Sequence, residues 1–184
     1  MANNYRYTQN RSVRTLRLGF IPLFTALTAV GAQISLPIGS VPITLQMLFV
    51  FLTGFLLEPI DAFISMALYL VLGASGIPVF ANFSAGLSHL VGPTAGYLWA
   101  FPIAALSISY LRKKLSNIFA GFVGLSVVYS LGWFVLGVYL KNFNKAFLVG
   151  VVPFVLIDAI KLRLAIYAAQ KIEKVLGGSV YGKA

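Results

Sequence analysis

The chain has 184 residues, of which 59% are hydrophobic and only 10% are charged, and its formal net charge is +10. Soluble domains carry about 25% charged residues, so this composition excludes an ordinary soluble domain and indicates an integral membrane protein. The basic residues lie in short segments at the ends of apolar runs, which is typical of membrane orientation and argues against nucleic-acid binding. Without cysteine, and with one histidine and four acidic residues, the sequence offers no disulfide, no thiolate and little material for a metal site.

Six apolar runs follow one another along the chain and predict an all-α integral membrane protein, a bundle of six transmembrane helices. The membrane domain spans 18–172, between a basic N-terminal segment, 1–17, and a tail, 173–184. Several runs are shorter than the roughly 20 residues that a perpendicular span needs. The runs cover about 18–34, 44–57, 59–72, 93–111, 118–139 and 149–172.

The division between the second and third runs depends on two residues, Glu58 and Pro59. Pro59, with Glu58 and Asp61 beside it, favours a tight turn at the membrane surface. A single 30-residue hydrophobic helix is the alternative.

The lysines and arginines predict the orientation. Clusters before the first run, after the fourth and after the sixth fall on one side of a six-span bundle, and the opposite side receives only Lys141 and Lys145. The excess of positive charge marks the cytoplasmic side, so both termini are predicted to be cytoplasmic. The segments 35–42 and 74–92 then face outward. The clusters are Arg6, Arg11, Arg14 and Arg17; Arg112, Lys113 and Lys114; and Lys171, Lys174 and Lys183.

The outward segment 74–92 is long, and it is too apolar to be a solvated linker. We expect it to fold over the bundle as a lid. Phe80 and Phe83 would cover an apolar ligand body, and Asn82 would donate and accept hydrogen bonds. The alternative is a loop that only fills a gap between helices.

Asp158 and Lys161 place a carboxylate and an ammonium on one face of the sixth predicted helix. A charged side chain at membrane depth costs about 2.5–3.5 kcal/mol on insertion scales, so the pair indicates a functional site. Other polar residues at the outer ends of predicted helices would complete a pocket wall, although each alone is better explained by bonds to neighbouring helices. These residues are Thr44, Gln46, Thr94 and Tyr97.

Three other features carry less weight. The segment 177–183 matches most of a phosphate-binding loop but lacks the final Ser or Thr, the preceding strand and the following helix, so we interpret it as a frayed tail. His89 is a lone loop residue and is predicted to be structural. Arg163 points about 140° away from Asp158 around the helix, and its partner is either another helix or another subunit.

Four segments carry a resemblance over 18–172. The chain resembles the BioY family, the biotin-specific substrate-binding (S) components of energy-coupling factor (ECF) transporters. Within 81–86 it departs from the family, because many relatives are richer in glycine there. The four segments are Val41-Pro42-Ile43-Thr44-Leu45-Gln46, Gly73-Ala74-Ser75-Gly76-Ile77-Pro78-Val79-Phe80, Gly92-Pro93-Thr94-Ala95-Gly96-Tyr97-Leu98, and Asp158 to Lys161.

The resemblance implies a six-helix bundle that captures biotin from outside the cytoplasmic membrane of a bacterium or archaeon. It also implies partners, namely a transmembrane coupling protein (EcfT) and two cytoplasmic ATPases, so this chain would be neither an enzyme nor the holder of a cofactor. Small residues of the first helix would dock the coupling protein, with ordinary packing inside the bundle as the alternative. The candidates are Thr25, Ala26, Ala29 and Ala32, where Thr25 with Ala29 and Thr28 with Ala32 form small-xxx-small pairs.

Biotin chemistry suits these residues. Asp158 would accept from a ureido N–H, and Lys161 or Asn82 would donate to the ureido oxygen. Aromatic rings would pack on the ring system and its tail; they belong to Phe80, Phe83 and Tyr97. The opposite pose, with the valerate carboxylate on Lys161, is also sound; we favour the ureido-deep pose because Asp158 would repel a carboxylate.

Rival classes remain open. A standalone proton-coupled vitamin carrier would use Asp158 as its proton site and would need no ATPase. An intramembrane enzyme would need a nucleophile with a base or a metal cluster, and the sequence shows neither. A purely structural subunit would have no need of Asp158 and Lys161.

Overall fold

A computed structural model gives the fold, and it describes the backbone of residues 2–36 and 41–175 and the side chains of 18–36 and 41–175. Most of this part is helical. The helices are α1 (Ala2–Gln33), α2 (Gln46–Leu56), α3 (Pro59–Ala74), α4 (Ser88–Val91), α5 (Ala95–Arg112), α6 (Asn117–Leu140), α7 (Phe143–Gly150) and α8 (Val152–Val175). The segment predicted to be a frayed tail, 177–183, lies outside the described residues.

A helix coincides with each of the six predicted runs: α1, α2, α3, α5, α6 and α8. The turn predicted between the second and third runs is confirmed, because α2 ends at Leu56 and α3 begins at Pro59. Proline suits the first position of a helix, where its fixed φ fits and its missing N–H would have had no partner. The alternative of one 30-residue helix is therefore wrong.

The sequence pattern missed the shorter elements. An antiparallel pair, β1 (Ser35–Leu36) and β2 (Ile43–Thr44), lies between α1 and α2, and a 3-10 turn covers Ala81–Phe83. The helix α7 also follows α6 after a two-residue break. Its N-terminus is capped by Asn142, whose Oδ1 accepts a hydrogen bond from the backbone N–H of Lys145 at 2.9 Å.

Small residues allow the helices to approach closely. The helix α5 lies against α6 and α3, α2 lies against α8 and α5, and α1 lies against α3 and α2. A Cβ on Gly96 would overlap the backbone of Leu131, so α5 and α6 touch there almost backbone to backbone. Ile108 of α5 fills the space that Gly54 of α2 and Gly124 of α6 leave open. The core is a close-packed helix bundle.

One described helix, α6, is both long and apolar enough to cross a membrane by length and composition. Four other apolar stretches are shorter, at 18–33, 46–56, 59–74 and 95–111. Large apolar side chains are also exposed around the outside of the bundle, among them Leu156, Phe122 and Val138. A surface of this kind marks contact with lipid or with another protein.

Charged side chains tie several helix ends together on one side of the bundle. Arg112 at the end of α5 forms an ion pair with Glu173 of α8, with Nη1 and Oε1 2.8 Å apart. Lys113 forms an ion pair with Glu58 at the α2–α3 turn. The hydroxyl of Ser109 donates to the carbonyl of Leu57 at 2.6 Å. The ends of α2, α5 and α8 are thus joined by polar contacts.

Most of the small residues predicted to dock a partner face inward. Thr25 is buried, and its hydroxyl donates to the carbonyl of Ser65 on α3 at 2.8 Å. Ala32 is also buried, Ala29 is half-buried and Ala26 is exposed. Packing within the bundle thus accounts for Thr25 and Ala32. Docking of a partner through α1 stays a prediction, for which Ala26 alone of the four is exposed.

Candidate functional site

A cavity of about 510 Å³ lies beneath the segment 80–93, between α2, α5, α6 and α8. Its volume is within the usual range for sites that bind small molecules. Seven of the eight predicted binding residues line it. They are Thr44, Gln46, Phe80, Asn82, Tyr97, Asp158 and Lys161.

Phe83 does not line the cavity, and the prediction that it covers a ligand is not met in this structure. Its side chain is 72% exposed. Asn82 and Phe83 have positive φ values of 58° and 55°, so the chain reverses direction there. Asparagine adopts this left-handed conformation readily and phenylalanine does not. The reversal leaves Asn82 on the cavity and Phe83 outside it.

Asp158 and Lys161 form a buried ion pair in the cavity wall. The ammonium of Lys161 donates to Oδ1 of Asp158 at 2.6 Å, and both residues are about 95% buried, with 4% and 5% of their surface exposed. The hydroxyl of Tyr129 on α6 donates to Oδ2 of the same carboxylate at 2.9 Å. Each carboxylate oxygen has a second lone pair, and the ammonium has two further N–H groups, so both partners can still bind a ligand.

Gln46 is held by two neighbours. Its Oε1 accepts from the hydroxyl of Thr44 at 2.8 Å, and its Nε2 donates to the hydroxyl of Tyr69 on α3. Tyr69 in turn donates to the carbonyl of Val79 at 3.0 Å. Gln46 is therefore a fixed part of the wall, with one N–H and one lone pair left for a ligand.

Tyr97 presents its ring rather than its hydroxyl to the cavity. The hydroxyl donates to the carbonyl of Gly150 at 2.8 Å, where α7 gives way to α8. The ring lies against Gly132 of α6, where any Cβ would overlap it. A carbonyl freed at a helix break is thereby satisfied, and the ring is held in one orientation.

Phe80 anchors the segment over the cavity. It is 2% exposed, and its ring packs edge-on against Tyr69, with centroids 5.5 Å apart. The ring of His89 lies at the same centroid distance, 5.5 Å, on another side. Gly73 completes the slot, because a Cβ there would overlap the Phe80 ring. The segment is packed onto the bundle through this aromatic side chain.

Gln33, at the end of α1, fastens the same segment by its backbone. Its Nε2 donates to the carbonyls of Phe80 at 3.2 Å and Val79 at 3.4 Å, and its Oε1 accepts from the N–H of Phe83 at 2.8 Å. An amide that both donates and accepts is suited to hold a backbone turn. Gln33 does not line the cavity.

The short helix α4 separates the cavity from a second, apolar groove of about 490 Å³. Ser88 and His89 line the cavity, whereas Leu87, Leu90 and Val91 line the groove. The indole N–H of Trp99 on α5 donates to the carbonyl of Leu90 at 2.9 Å and secures α4.

Sequence reasoning missed Tyr129, Tyr69 and Gln33. Each lies within or at the end of an apolar run and resembles a lipid-facing or core residue there. The available signal was chemical, because a phenol or amide inside a membrane domain needs a hydrogen-bond partner.

Apolar residues complete the lining of the cavity, and they include Met47, Leu98, Phe101, Val128 and Phe154. Within the described ranges, no three carboxylate or imidazole groups cluster as a metal site would require.

Residues 6–178 match the sequence profile of the BioY family. The chain is 45% identical over 161 residues to the probable biotin transporter BioY of Pyrococcus horikoshii, across 88% of this chain and 98% of that protein. It is 46% identical over 156 residues to the biotin transporter BioY of Thermotoga maritima, across 83% and 92%. A crystal structure of the S-component for biotin from an ECF-type ABC transporter is similar, with a TM-score of 0.79 and 26% identity over 90% of this chain and 93% of that one.

Proposed function

The chain belongs to the BioY family, and on that premise we propose that it binds biotin in the cavity and takes it up across the cytoplasmic membrane as the substrate-capture subunit of an ECF-type transporter. The observation that carries the proposal is the buried Asp158–Lys161 pair, which faces a largely apolar cavity while keeping unused hydrogen-bonding capacity. Burying two charges costs desolvation free energy, and a role in binding or specificity explains why the chain retains such a pair.

The ureido group of biotin matches that capacity. It has two N–H donors and one carbonyl acceptor on an otherwise apolar bicyclic ring. Asp158 is suited to accept from one N–H, and Lys161 beside it is suited to donate to the carbonyl. The rings of Phe80 and Tyr97 supply apolar surface for the bicycle. We therefore favour a pose with the ureido group deep and the valerate tail near the segment 80–93.

A competition assay distinguishes the two poses. Biotin methyl ester and biocytin both remove the free carboxylate, and in the ureido-deep pose each should displace labelled biotin with affinity within about tenfold of biotin itself. If blocking the carboxylate abolishes binding, the carboxylate instead lies on Lys161.

The proposal includes six transmembrane helices, α1, α2, α3, α5, α6 and α8, with both termini in the cytoplasm. The charge distribution supports it: exposed Lys113, Lys114, Lys171 and Lys174 lie at the ends of α5 and α8, and Lys141 and Lys145 lie at the opposite end. Thiol-reactive labelling of single cysteines checks this. A cysteine at Lys145 should react with an impermeant maleimide added to intact cells, and one at Lys114 should not.

We further propose that energy comes from partners, a transmembrane coupling protein (EcfT) and two ATPases, and that this chain performs no chemistry. The rival proton-coupled carrier is less favoured because Asp158 already bonds to Lys161 and Tyr129. A proton on Asp158 would leave the Lys161 ammonium buried without its counter-charge. Uptake that collapses when the ATPases are inactivated supports the proposal, and uptake that follows the proton gradient without them supports the carrier.

Direct binding is the first test. Radiolabelled biotin should bind the purified chain alone with one-to-one stoichiometry, and Asp158→Asn and Lys161→Ala should each lower affinity at least a hundredfold. Lys145→Ala, an exposed lysine outside the cavity, is the matched control. Binding that survives both substitutions would move the site elsewhere, and a wild-type chain that binds no biotin would refute the function.

A further inference from the structure

Arg163 is a charge in an unexpected place. It is the twelfth of the 24 residues of α8, and its side chain is exposed on the outside of the bundle. Among the residues that the structure describes, it has no hydrogen bond, ion pair or cation–π partner, in contrast to Asp158 and Lys161 on the same helix. The inference rests on the proposed function in one respect: Arg163 lies at membrane depth only if α8 crosses the membrane.

Lipid does not provide Arg163 with a good partner. At about 1.5 Å per residue, Arg163 is roughly 17 Å from the start of α8, and Lys171 is about 12 Å further along the helix. Side chains on a helix lean toward its N-terminus, so Arg163 leans away from the polar end that is closer to it. The hydrocarbon core extends about 15 Å from the bilayer centre, and the headgroups lie beyond it. An arginine left in hydrocarbon at this depth is unfavourable.

The residues around Arg163 form a seam on which another helix fits. They recur at spacings of four, three, four and three, which is the heptad pattern of packed helices. Leu156, Ile160 and Tyr167 are 73%, 54% and 62% exposed, so the seam is uncovered in the single chain. A charged residue among the apolar positions of such a seam fixes the register of its partner. The seam is Leu156, Ile160, Arg163, Tyr167 and Gln170.

A second copy of the chain has no acidic side chain to offer Arg163. The chain has four acidic residues. Glu58 pairs with a lysine, Glu173 with an arginine and Asp158 with Lys161, while Asp61 is buried and already engaged. The counter-charge must therefore come from a different protein.

We propose that the seam 156–170 of α8 docks a transmembrane helix of a different protein, and that Arg163 pairs with an Asp or Glu of that helix. In the proposed transporter this helix belongs to the transmembrane coupling protein. The pair is formed within the membrane, where a charge-assisted hydrogen bond is strong and the loss of either partner leaves an uncompensated charge.

The test measures how much coupling protein is retained by the tagged chain, co-expressed with the coupling protein and the ATPases of the same transporter. Arg163→Glu should lower the retained amount at least tenfold, and Arg163→Leu should lower it less. Lys145→Glu makes the same change at an exposed lysine on α7, and it should have no effect. Biotin binding by the isolated Arg163→Glu chain should stay within twofold of wild type, which shows that the fold and the cavity are intact.

A charge swap completes the test. Each intramembrane Asp or Glu of the coupling protein is replaced by Arg in turn, and one replacement should restore retention of the Arg163→Glu chain. The proposal is overturned if Arg163→Glu is retained like wild type, if no swap restores it, or if wild type retains no coupling protein. It is also overturned if Arg163→Glu abolishes biotin binding, if its only effect is to dissociate a dimer of this chain, or if its only effect is to release anionic lipid bound to the chain. Failure of the proposed function has a separate signature, namely a wild-type chain that binds no biotin.

Discussion

The hydroxyl of Tyr129 donates to Oδ2 of Asp158 at 2.9 Å, while the ammonium of Lys161 occupies Oδ1 at 2.6 Å. The carboxylate is therefore held at both oxygens, by α6 on one side and by its own helix on the other. A group that is fixed before the ligand arrives loses little conformational entropy on binding. Tyr129 thus orients the acceptor that the proposed ureido contact needs.

Replacing Tyr129 by Phe should weaken biotin binding about tenfold to a hundredfold. Hydrogen bonds to charged groups contribute about 1.5–3 kcal/mol, and each 1.4 kcal/mol corresponds to tenfold in affinity. Equilibrium binding of labelled biotin to the purified chain measures the effect. Tyr139→Phe removes a hydroxyl from an exposed position on the same helix and should leave affinity unchanged. Equal affinities for the two variants would rule out an orienting role for Tyr129.

The ion pair should show different effects on stability and on binding. Asp158→Asn or Lys161→Met alone leaves one buried charge uncompensated, which costs about 3–5 kcal/mol. The double variant removes both charges and should recover most of the lost thermal stability, because it buries no unpaired charge. All three variants should still bind biotin at least a hundredfold more weakly than wild type. Thermal unfolding and binding are measured on the same preparations.

A double variant no more stable than the single variants would show that the pair is not coupled in the way the geometry indicates. The coupling energy follows from the difference between the double variant and the sum of the two single ones.

Gln33→Glu should loosen the segment over the cavity. The carboxylate could still accept from the N–H of Phe83, but it would face the carbonyl oxygens of Phe80 and Val79 without a donor. We expect biotin to dissociate at least fivefold faster, with a smaller change in the association rate. Gln170→Glu makes the same change at an exposed position on α8 and serves as the control.

Hydrogen exchange of the Phe83 amide gives an independent readout for Gln33→Glu. Protection of that amide should fall while the thermal stability of the bundle changes little. Unchanged dissociation together with unchanged protection would contradict the role assigned to Gln33.

Gly73→Ala should displace the Phe80 ring from its slot, because the added Cβ would overlap it. We expect biotin affinity to fall at least tenfold. Gly19→Ala is the matched control, since a Cβ at Gly19 meets nothing within 4 Å. Alanine is favoured over glycine inside a helix by up to about 1 kcal/mol, so the control should be as stable as wild type or more stable. Equal binding by the two variants would show that Phe80 has room to adjust.

The main helices could be predicted from the sequence because lengthy apolar runs and the Glu58–Pro59 break are strong local signals. The helix α7 could not, because eight residues that mix polar and apolar side chains resemble a loop, and only the Asn142 cap indicates that they begin a helix. The predicted helix boundaries differ from the observed ones by a few residues. The apolar runs follow membrane depth, whereas backbone hydrogen bonds determine where each helix begins and ends.

In the site, the place of Asp158, Lys161 and Gln46 in the cavity lining was predictable, because buried charged and amide side chains in a membrane domain have few explanations. The direction of Phe83 was not, because it depends on two successive left-handed residues that no local pattern specifies. Thr25 and Ala32 illustrate the opposite problem. Small residues suit close helix packing of any kind, and the sequence cannot say whether the neighbouring helix belongs to the same chain.

The placement of α4 has a consequence for how long biotin would stay bound. A single helical turn, roughly 10 Å thick with its side chains, separates the cavity from an apolar groove that opens toward the surroundings of α3 and α5. Acyl chains that entered that groove would press on the same turn that carries Ser88 and His89. The residence time should therefore vary with the length and unsaturation of the surrounding fatty acids, so that the bilayer itself becomes part of the wall.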